Sequence, residues 1–241
     1  MTAPRTGRIT KIIGNMVTAS FDSAVMQNEV AYVLHGPERL KSEVIRVRGN
    51  VAEMQVYETT GGLKIGEEVE FTGELLSAEL GPGLLGQIFD GLQNPLPELA
   101  EQCGYFLQRG RYIEPLPAGA TWYFTPIVEP GAWVRPGDKI GFVVEKIFKH
   151  YCMVPFSFQG NLEVASIRDP GDCTPHQEIA RLRDTNGKTH PVSLTQEWPV
   201  KIPIRAYREK LRSGEPLVTK MRIIDTLFPV ALGGTYCIPG P

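Results

Sequence analysis

The residues nearest to a recognised chemical pattern lie in the last stretch of the chain. Gly233 and Gly234 give a turn signal, residues 236–238 predict a short buried strand, and Gly240 and Pro241 follow it. A buried strand that runs into a glycine turn is the usual approach to a phosphate-binding loop, whose backbone N–H groups hold phosphate oxygens. One interpretation is therefore that a larger domain begins here with such a loop. A C-terminal edge strand with a frayed tail is the other interpretation, and the residues alone favour it.

Two other groups of residues have types and spacings suited to chemistry. The run from Gly81 to Gly86 has the G-x-G-x-x-G spacing, but it follows no convincing parallel strand and Pro82 removes one backbone donor. Cys173 and His176 are three positions apart, which suits metal ligands. A zinc site needs a second such pair, and the four cysteines and four histidines do not supply one. We therefore predict no metal site and no catalytic residue in these 241 residues.

Composition excludes several classes of partner. The 25 Lys and Arg residues against 27 Asp and Glu give a formal net charge of −2, without the basic stripe that a nucleic-acid-binding protein shows. No apolar run is long enough to span a bilayer, and the N-terminus has no apolar signal core. Four cysteines without paired spacing fit reduced thiols in a cytoplasmic protein. We expect no nucleic-acid partner and no direct membrane contact.

The elements that would position these residues are mostly short strands. Residues 5–73 alternate apolar and polar side chains in segments separated by turns at intervals of roughly ten residues, which predicts a small closed β-barrel. Residues 74–112 form a Gly- and Pro-rich linker. Within it, Leu84, Leu85, Ile88 and Phe89 share one apolar face, which predicts a helix of one or two turns.

Residues 113–190 predict a second β domain. Pro136-Gly137-Asp138 supplies a turn within residues 131–141, and Ile140, Phe142 and Val144 alternate after it, so we expect a tight hairpin there. Such hairpins also occur in lipoyl and biotin carrier domains. This leaves open a carrier in which Lys146 or Lys149 is modified, although neither lysine lies between methionines.

Residues 191–241 return the chain and begin a further domain. Val218, Met221, Ile224 and Leu227 recur at spacings of three, which predicts an amphipathic helix that Pro229 ends. Exposed apolar patches of several hundred Å² are rare in monomers, so we expect cover from elsewhere for the large apolar side chains of this part, which are Ile223, Leu227, Phe228 and Ile238. The sequence thus predicts a mainly β fold of four parts, with bounds 1–73, 74–112, 113–190 and 191–241.

Two stretches resemble a known family. The run PLVTKMRIIDTLFPVALGGTYCIPGP, from Pro216 onwards, resembles the approach to the phosphate loop in the catalytic A subunit of V-type and A-type rotary ATPases. In that family the loop continues Gly-Pro-Phe-Gly-x-Gly-Lys-Thr, and Gly240 and Pro241 match its first two positions. Residues 79–91 match the linker pattern ELGPGLLGxIFDG closely. Residues 220–222 depart from the family's usual Gly-Gln-Arg at two positions.

The resemblance implies a fold and a role for each part. The barrel would belong to the crown of the ring, residues 113–190 would be the inserted barrel-sandwich "bulge" domain, and the last part would begin an α/β nucleotide-binding domain. A subunits would alternate with B subunits around a central stalk, with a peripheral stalk outside, on the cytoplasmic face of a membrane. The whole enzyme would use ATP and Mg²⁺ to move protons or sodium ions, whereas the 241 residues would bind neither cofactor. A self-contained, non-enzymatic β interaction module is the alternative.

Overall fold

A computed structural model describes residues 5–104, 106–117, 119–205, 209 and 212–239 of the chain. Contacts divide the chain into two compact units, Met1–Ile204 and Arg205–Pro241. The first unit contains two β cores and the connection between them. The second is described separately below.

A six-stranded closed barrel forms the first core. Its strands are β1 (Arg5–Ile13), β2 (Met16–Phe21), β3 (Glu29–His35), β4 (Glu38–Arg48), β5 (Val51–Val56) and β6 (Glu68–Leu75). They pair antiparallel in the order β1-β2-β5-β4-β3-β6, which leaves no free edge. Three tight turns between strands each contain a glycine with positive φ, in the left-handed region that favours glycine. These are Gly14, Gly36 and Gly49, with φ of +57°, +57° and +58°. The predicted barrel is confirmed.

The connection after the barrel differs from its prediction. It contains a short strand, β7 (Ser77–Leu80), and a helix, α1 (Leu96–Cys103). The helix predicted over residues 84–89 is wrong, because these residues form turns in which Gly83 and Gly86 have φ of +109° and +79°. The sequence prediction missed α1, which has proline in its first turn and buries Leu99.

Two four-stranded sheets form the second core. The strands are β8 (Trp122–Pro126), β9 (Trp133–Val134), β10 (Lys139–Glu145), β11 (Phe148–Met153), β12 (Leu162–Ile167), β13 (Gly171–Cys173), β14 (Ala180–Arg183) and β15 (Thr189–Val192). One sheet has the order β11-β10-β8-β13 and the other β15-β14-β12-β9. Their inner faces share a core around Phe124, Ile140 and Leu182, each 0 % exposed. A last strand of this unit, β16 (Gln196–Pro199), returns to pair with β7. The mainly β architecture is as expected, and the four domain bounds stay predictions.

The predicted hairpin at residues 131–141 is only half correct. The turn forms, since Asp138 donates its backbone N–H to the Arg135 carbonyl at 2.9 Å. Its two arms do not pair with each other, because β9 pairs with β12 and β10 pairs with β8 and β11. A turn reverses the chain locally, but the burial of each arm decides which sheet it joins.

The second unit contains one short helix, α2 (Arg222–Leu227), among its described residues. Pro216 and Ala231 form an isolated antiparallel bridge that closes the loop around α2. The buried strand predicted at residues 236–238 is wrong, since Tyr236 and Ile238 are exposed by 45 % and 84 % and have no strand assignment. Periodicity marks apolar residues, but their burial requires a partner surface.

Candidate functional site

The two predicted nucleotide-binding residues, Gly240 and Pro241, lie outside the described residues. The segment before them is ordered locally by one carboxylate. Asp225 Oδ1 accepts hydrogen bonds from the backbone N–H and the hydroxyl of Thr219, at 3.0 and 2.6 Å, and Oδ2 accepts from the Lys220 N–H at 2.9 Å. These hydrogen bonds, with that of the Thr219 hydroxyl first, lower the pKa of Asp225. The carboxylate thereby fixes the entry to α2.

The predicted apolar face of this segment is present but lies open. Leu227 is 68 % exposed and Ile224 is half-buried. Val218 and Met221 precede the helix instead of continuing its face, and both are exposed. In the described part of the second unit, the apolar residues therefore form a surface and not a core.

Two backbone donors of the glycine-rich run Gly81–Gly86 are occupied by a protein carboxylate. Glu145, at the end of β10, is 2 % exposed, and its Oε1 accepts from the N–H groups of Gly83 at 2.9 Å and Leu85 at 3.3 Å. Its Oε2 lies 3.1 Å from Nδ1 of His150. The run therefore binds an anion, as glycine-rich loops do, but that anion is a side chain of the same unit. This arrangement fastens the connection to the second core.

The two lysines of the carrier hypothesis have different surroundings. Lys146 is exposed in the two-residue turn between β10 and β11, with φ of +55°. Its Nζ lies 2.8 Å from the position that a Cβ on Gly86 would occupy. The ammonium group of Lys149 lies 4.7 Å from the centre of the Phe142 ring. Both lysines thus contact other parts of the first unit.

Cys173 and His176 do not form a common site. The Cys173 thiol is buried and lies 3.4 Å from the Trp122 carbonyl oxygen, whereas Nδ1 of His176 is 3.3 Å from Glu79 Oε1. Burial raises the pKa of the Glu79 carboxyl, and nearby Glu197 adds to this effect. Within the described ranges, no group of three or more potential ligands is placed to hold a metal ion.

Polar side chains also attach the connection, and the segment after β16, to the barrel. Tyr112 donates to Glu58 Oε2 at 2.7 Å and accepts from the Lys41 N–H at 2.7 Å. On another side, Lys201 lies 2.5 Å from Glu43, which is buried and also accepts from the Tyr57 hydroxyl. Burial, followed by the hydrogen bond to Glu43, raises the pKa of Tyr57. These contacts were not predicted, because their partners are distant in sequence.

A cleft of about 900 Å³ lies between the barrel, the connection and the second core. Lys41, Tyr112, Glu79 and His176 are among the side chains that line it. Of these, Tyr112, Glu79 and His176 take part in the contacts described above, which join parts of the first unit. No helix among the described residues is both long and apolar enough to cross a bilayer.

Comparison with known proteins agrees with this architecture. Residues 9–73 match the family model described as the ATP synthase alpha/beta family β-barrel domain. Residues 113–201 match the ATP synthase alpha/beta subunit barrel-sandwich domain. These matched ranges contain the closed barrel and the two-sheet core, respectively. The fold and both matches define an ATP synthase alpha/beta type of chain, and the chain belongs to that family.

Within the family, the similarity is to V-type ATP synthase alpha chains. The chain is 54 % identical over 235 residues to the V-type ATP synthase alpha chain of Treponema denticola and 53 % identical to alpha chain 1 of Treponema pallidum. It is 48 % identical to the alpha chain of Borreliella afzelii. Each alignment covers 98 % of this chain, and the chain spans about 40 % of the length of these relatives. These matches support neither the carrier nor the interaction module.

Proposed function

We propose that the chain is the N-terminal part of the catalytic A subunit, or alpha chain, of a V-type or A-type rotary ATPase. The assembly would couple ATP hydrolysis or synthesis to the transport of protons or sodium ions across a membrane. The observation that carries the proposal is the 54 % identity to a V-type ATP synthase alpha chain across 235 residues. The barrel and the barrel-sandwich domain in sequence support the same assignment.

In this proposal, Gly240 and Pro241 are the first two residues of the phosphate-binding loop. The whole subunit would bind ATP and Mg²⁺ through a lysine and a hydroxyl residue of that loop, positioned at a helix N-terminus. Of that loop, the 241 residues match the first two positions, Gly240 and Pro241. These 241 residues would position the rest of the loop, and by themselves they would hydrolyse no ATP.

The partners would be the B subunits of an alternating ring, together with central and peripheral stalk subunits. The barrel would contribute to the crown of that ring and the barrel-sandwich domain would form the bulge. The subunit would lie on the cytoplasmic face of the membrane and contact it only through the complex.

A chimaera tests this proposal. Residues 1–241 would replace the matching part of the Treponema denticola alpha chain, and the product would be assembled with that organism's other subunits. We expect Mg-ATP hydrolysis well above buffer from the assembly and none from the 241-residue chain alone. A chimaera carrying Phe124→Ala, which damages the second core, serves as the matched control. An assembled chimaera without turnover, or saturable turnover by the isolated chain, would contradict the proposal.

A further inference from the structure

The outer face of the sheet β11-β10-β8-β13 carries an exposed apolar stripe. Phe142 of β10 pairs with Tyr151 of β11 and with Thr125 of β8, and Val144 and Tyr123 follow two positions further along. Their side chains point away from the core, because Phe124 and Val143 alternate with them and are 0 % exposed. Tyr123 and Val144 are each 59 % exposed. We call Tyr123, Phe142, Val144 and Tyr151 the aromatic face.

Two lysines lie against this face at its ends. The Nζ of Lys139 is 3.8 Å from the centre of the Tyr151 ring, and the Nζ of Lys149 is 4.7 Å from the centre of the Phe142 ring. The two rings meet edge to face with their centres 6.4 Å apart. Cation–π contacts of this kind hold the lysine side chains over the rings and leave the ammonium groups accessible to a partner.

These lysines lack a carboxylate partner in the part of the chain that the structure describes. None of the ion pairs found there, such as Arg183 with Glu163 on the opposite sheet, includes Lys139 or Lys149. The carboxylate of their own hairpin, Glu145, is buried on the inner side and bonded to the glycine-rich run. Asp138, next to Lys139 in sequence, accepts a hydrogen bond from the Arg135 N–H. The β10–β11 part of the aromatic face therefore presents exposed positive charge on both sides of apolar surface.

We propose that the aromatic face binds an acidic amphipathic helix of a partner protein. The carboxylates of that helix would meet Lys139 and Lys149, and its apolar side chains would cover Val144 and Tyr123. An antiparallel sheet commonly keeps its outer face solvated, whereas a contiguous exposed apolar patch on that face marks an interaction site. Charge complementarity identifies the partner as acidic, and it also fixes the register of the helix on the sheet.

The spacing of the lysines defines the helix. The two ring distances and the separation of the ring centres place the two ammonium groups at most about 15 Å apart. Seven residues of an α-helix rise about 10.5 Å, so carboxylates at positions i and i+7 reach both lysines. Apolar residues at i+3 and i+4 then lie on the same side and over the stripe.

Other classes of ligand fit this face less well. Nucleic-acid bases stack on open ring faces, but here ammonium groups already lie over Phe142 and Tyr151. Insertion into a lipid surface requires protruding apolar tips, whereas these two rings are half-buried in the plane of a sheet. An acidic protein surface uses the lysines without displacing them from the rings.

The test titrates the isotope-labelled 241-residue chain with a synthetic helical peptide. The peptide carries Glu at i and i+7 and Leu at i+3 and i+4, and its control has Lys at both Glu positions. We expect saturable amide shifts confined to β8, β10 and β11 with the Glu peptide only. The double variant Lys139→Glu, Lys149→Glu should weaken binding by about tenfold or more. Lys188→Glu, an exposed lysine between β14 and β15, should leave it unchanged.

Several results would overturn the proposal. Equal binding of the Lys peptide, shifts centred on other strands, or a Kd weaker than about 1 mM would each remove the assigned partner. Another result would be that the Glu peptide fails to bind while the wild-type chain binds phosphatidylserine vesicles or a single-stranded oligonucleotide and the double variant does not. That result would assign the face to a lipid or nucleic-acid ligand and would also overturn the proposal. The spectrum of each variant reports its folding directly, so loss of binding cannot be confused with unfolding.

Discussion

The first unit and the described part of the second contain apolar residues in comparable local patterns, yet only the first buries them. Phe124, in β8, is 0 % exposed inside the two-sheet core, whereas Phe228, at the end of α2, is 60 % exposed. Both are phenylalanines next to another large apolar or aromatic residue, Tyr123 and Leu227 respectively. The difference shows that a pattern identifies candidate core residues, and that burial comes from surfaces distant in sequence. Four predictions test or refine this comparison.

The largest effect is expected from the matched pair of phenylalanines. Phe124→Ala removes a fully buried ring and should lower the free energy of unfolding by about 3–5 kcal/mol. Phe228→Ala should change it by no more than about 0.5 kcal/mol, because the ring is exposed. Urea denaturation of the 241-residue chain measures both values. Similar losses for the two variants would mean that Phe228 is covered in solution.

The reactivity of the cysteines tests the same difference in burial between the two units. Burial raises the pKa of the Cys152 thiol to about 12, so little reactive thiolate is present at pH 8, whereas Cys237 is exposed. We expect Cys237 to react with a disulfide reagent at least about a hundredfold faster than Cys152. Mass spectrometry of the labelled peptides assigns each rate. Cys237→Ser should remove the fast labelling of its own peptide and leave that of the half-buried Cys103 unchanged. Protection of Cys237 in a proven monomer would contradict the comparison.

Substitution of Glu145 measures how much its hydrogen bonds to the glycine-rich run stabilise the first unit. Glu145→Ala leaves the N–H groups of Gly83 and Leu85 without their acceptor, which should cost about 1–3 kcal/mol of unfolding free energy. Glu163→Ala, which breaks a partly exposed pair with Arg183, should cost less than about 1 kcal/mol. Hydrogen exchange at Gly83 and Leu85 should accelerate only in the first variant. Unchanged exchange there would show that the carboxylate does not hold the run.

The smallest effect concerns the pH dependence of the local structure before α2 in the second unit. Hydrogen bonds from Thr219 lower the pKa of Asp225 below its ordinary value of 3.8. A carboxyl whose pKa is lower in the folded state stabilises that state fully above its ordinary pKa, and this contribution is lost as the pH falls through the lowered value. The amide signals of Thr219 and Lys220 should therefore change only below pH 3.8. Asp225→Asn should remove that titration, and a midpoint above the ordinary value would contradict the hydrogen-bond geometry.

Much of the architecture follows from local signals in the sequence. Turn glycines such as Gly14 and Gly49 separate alternating segments, and this predicted the barrel strands because two-residue turns require unusual backbone angles. The resemblance of residues 79–91 and 216–241 to one family agrees with the family matches in the first unit. The helix expected at residues 84–89 failed because Gly83 and Gly86 adopt positive φ, while α1 was missed because prolines obscured its start.

The sequence by itself determined the strand and turn pattern, the mainly β class and the family. Each of these depends on neighbouring residues or on a run of identities. Only the tertiary structure decided that β9 and β10 join different sheets and that Glu145 occupies the donors of the glycine-rich run. It also decided that Phe124 is buried while Phe228 is exposed. The physical reason is that pairing, burial and hydrogen bonding depend on groups brought together from distant positions, and spacing along the chain does not specify which of them meet.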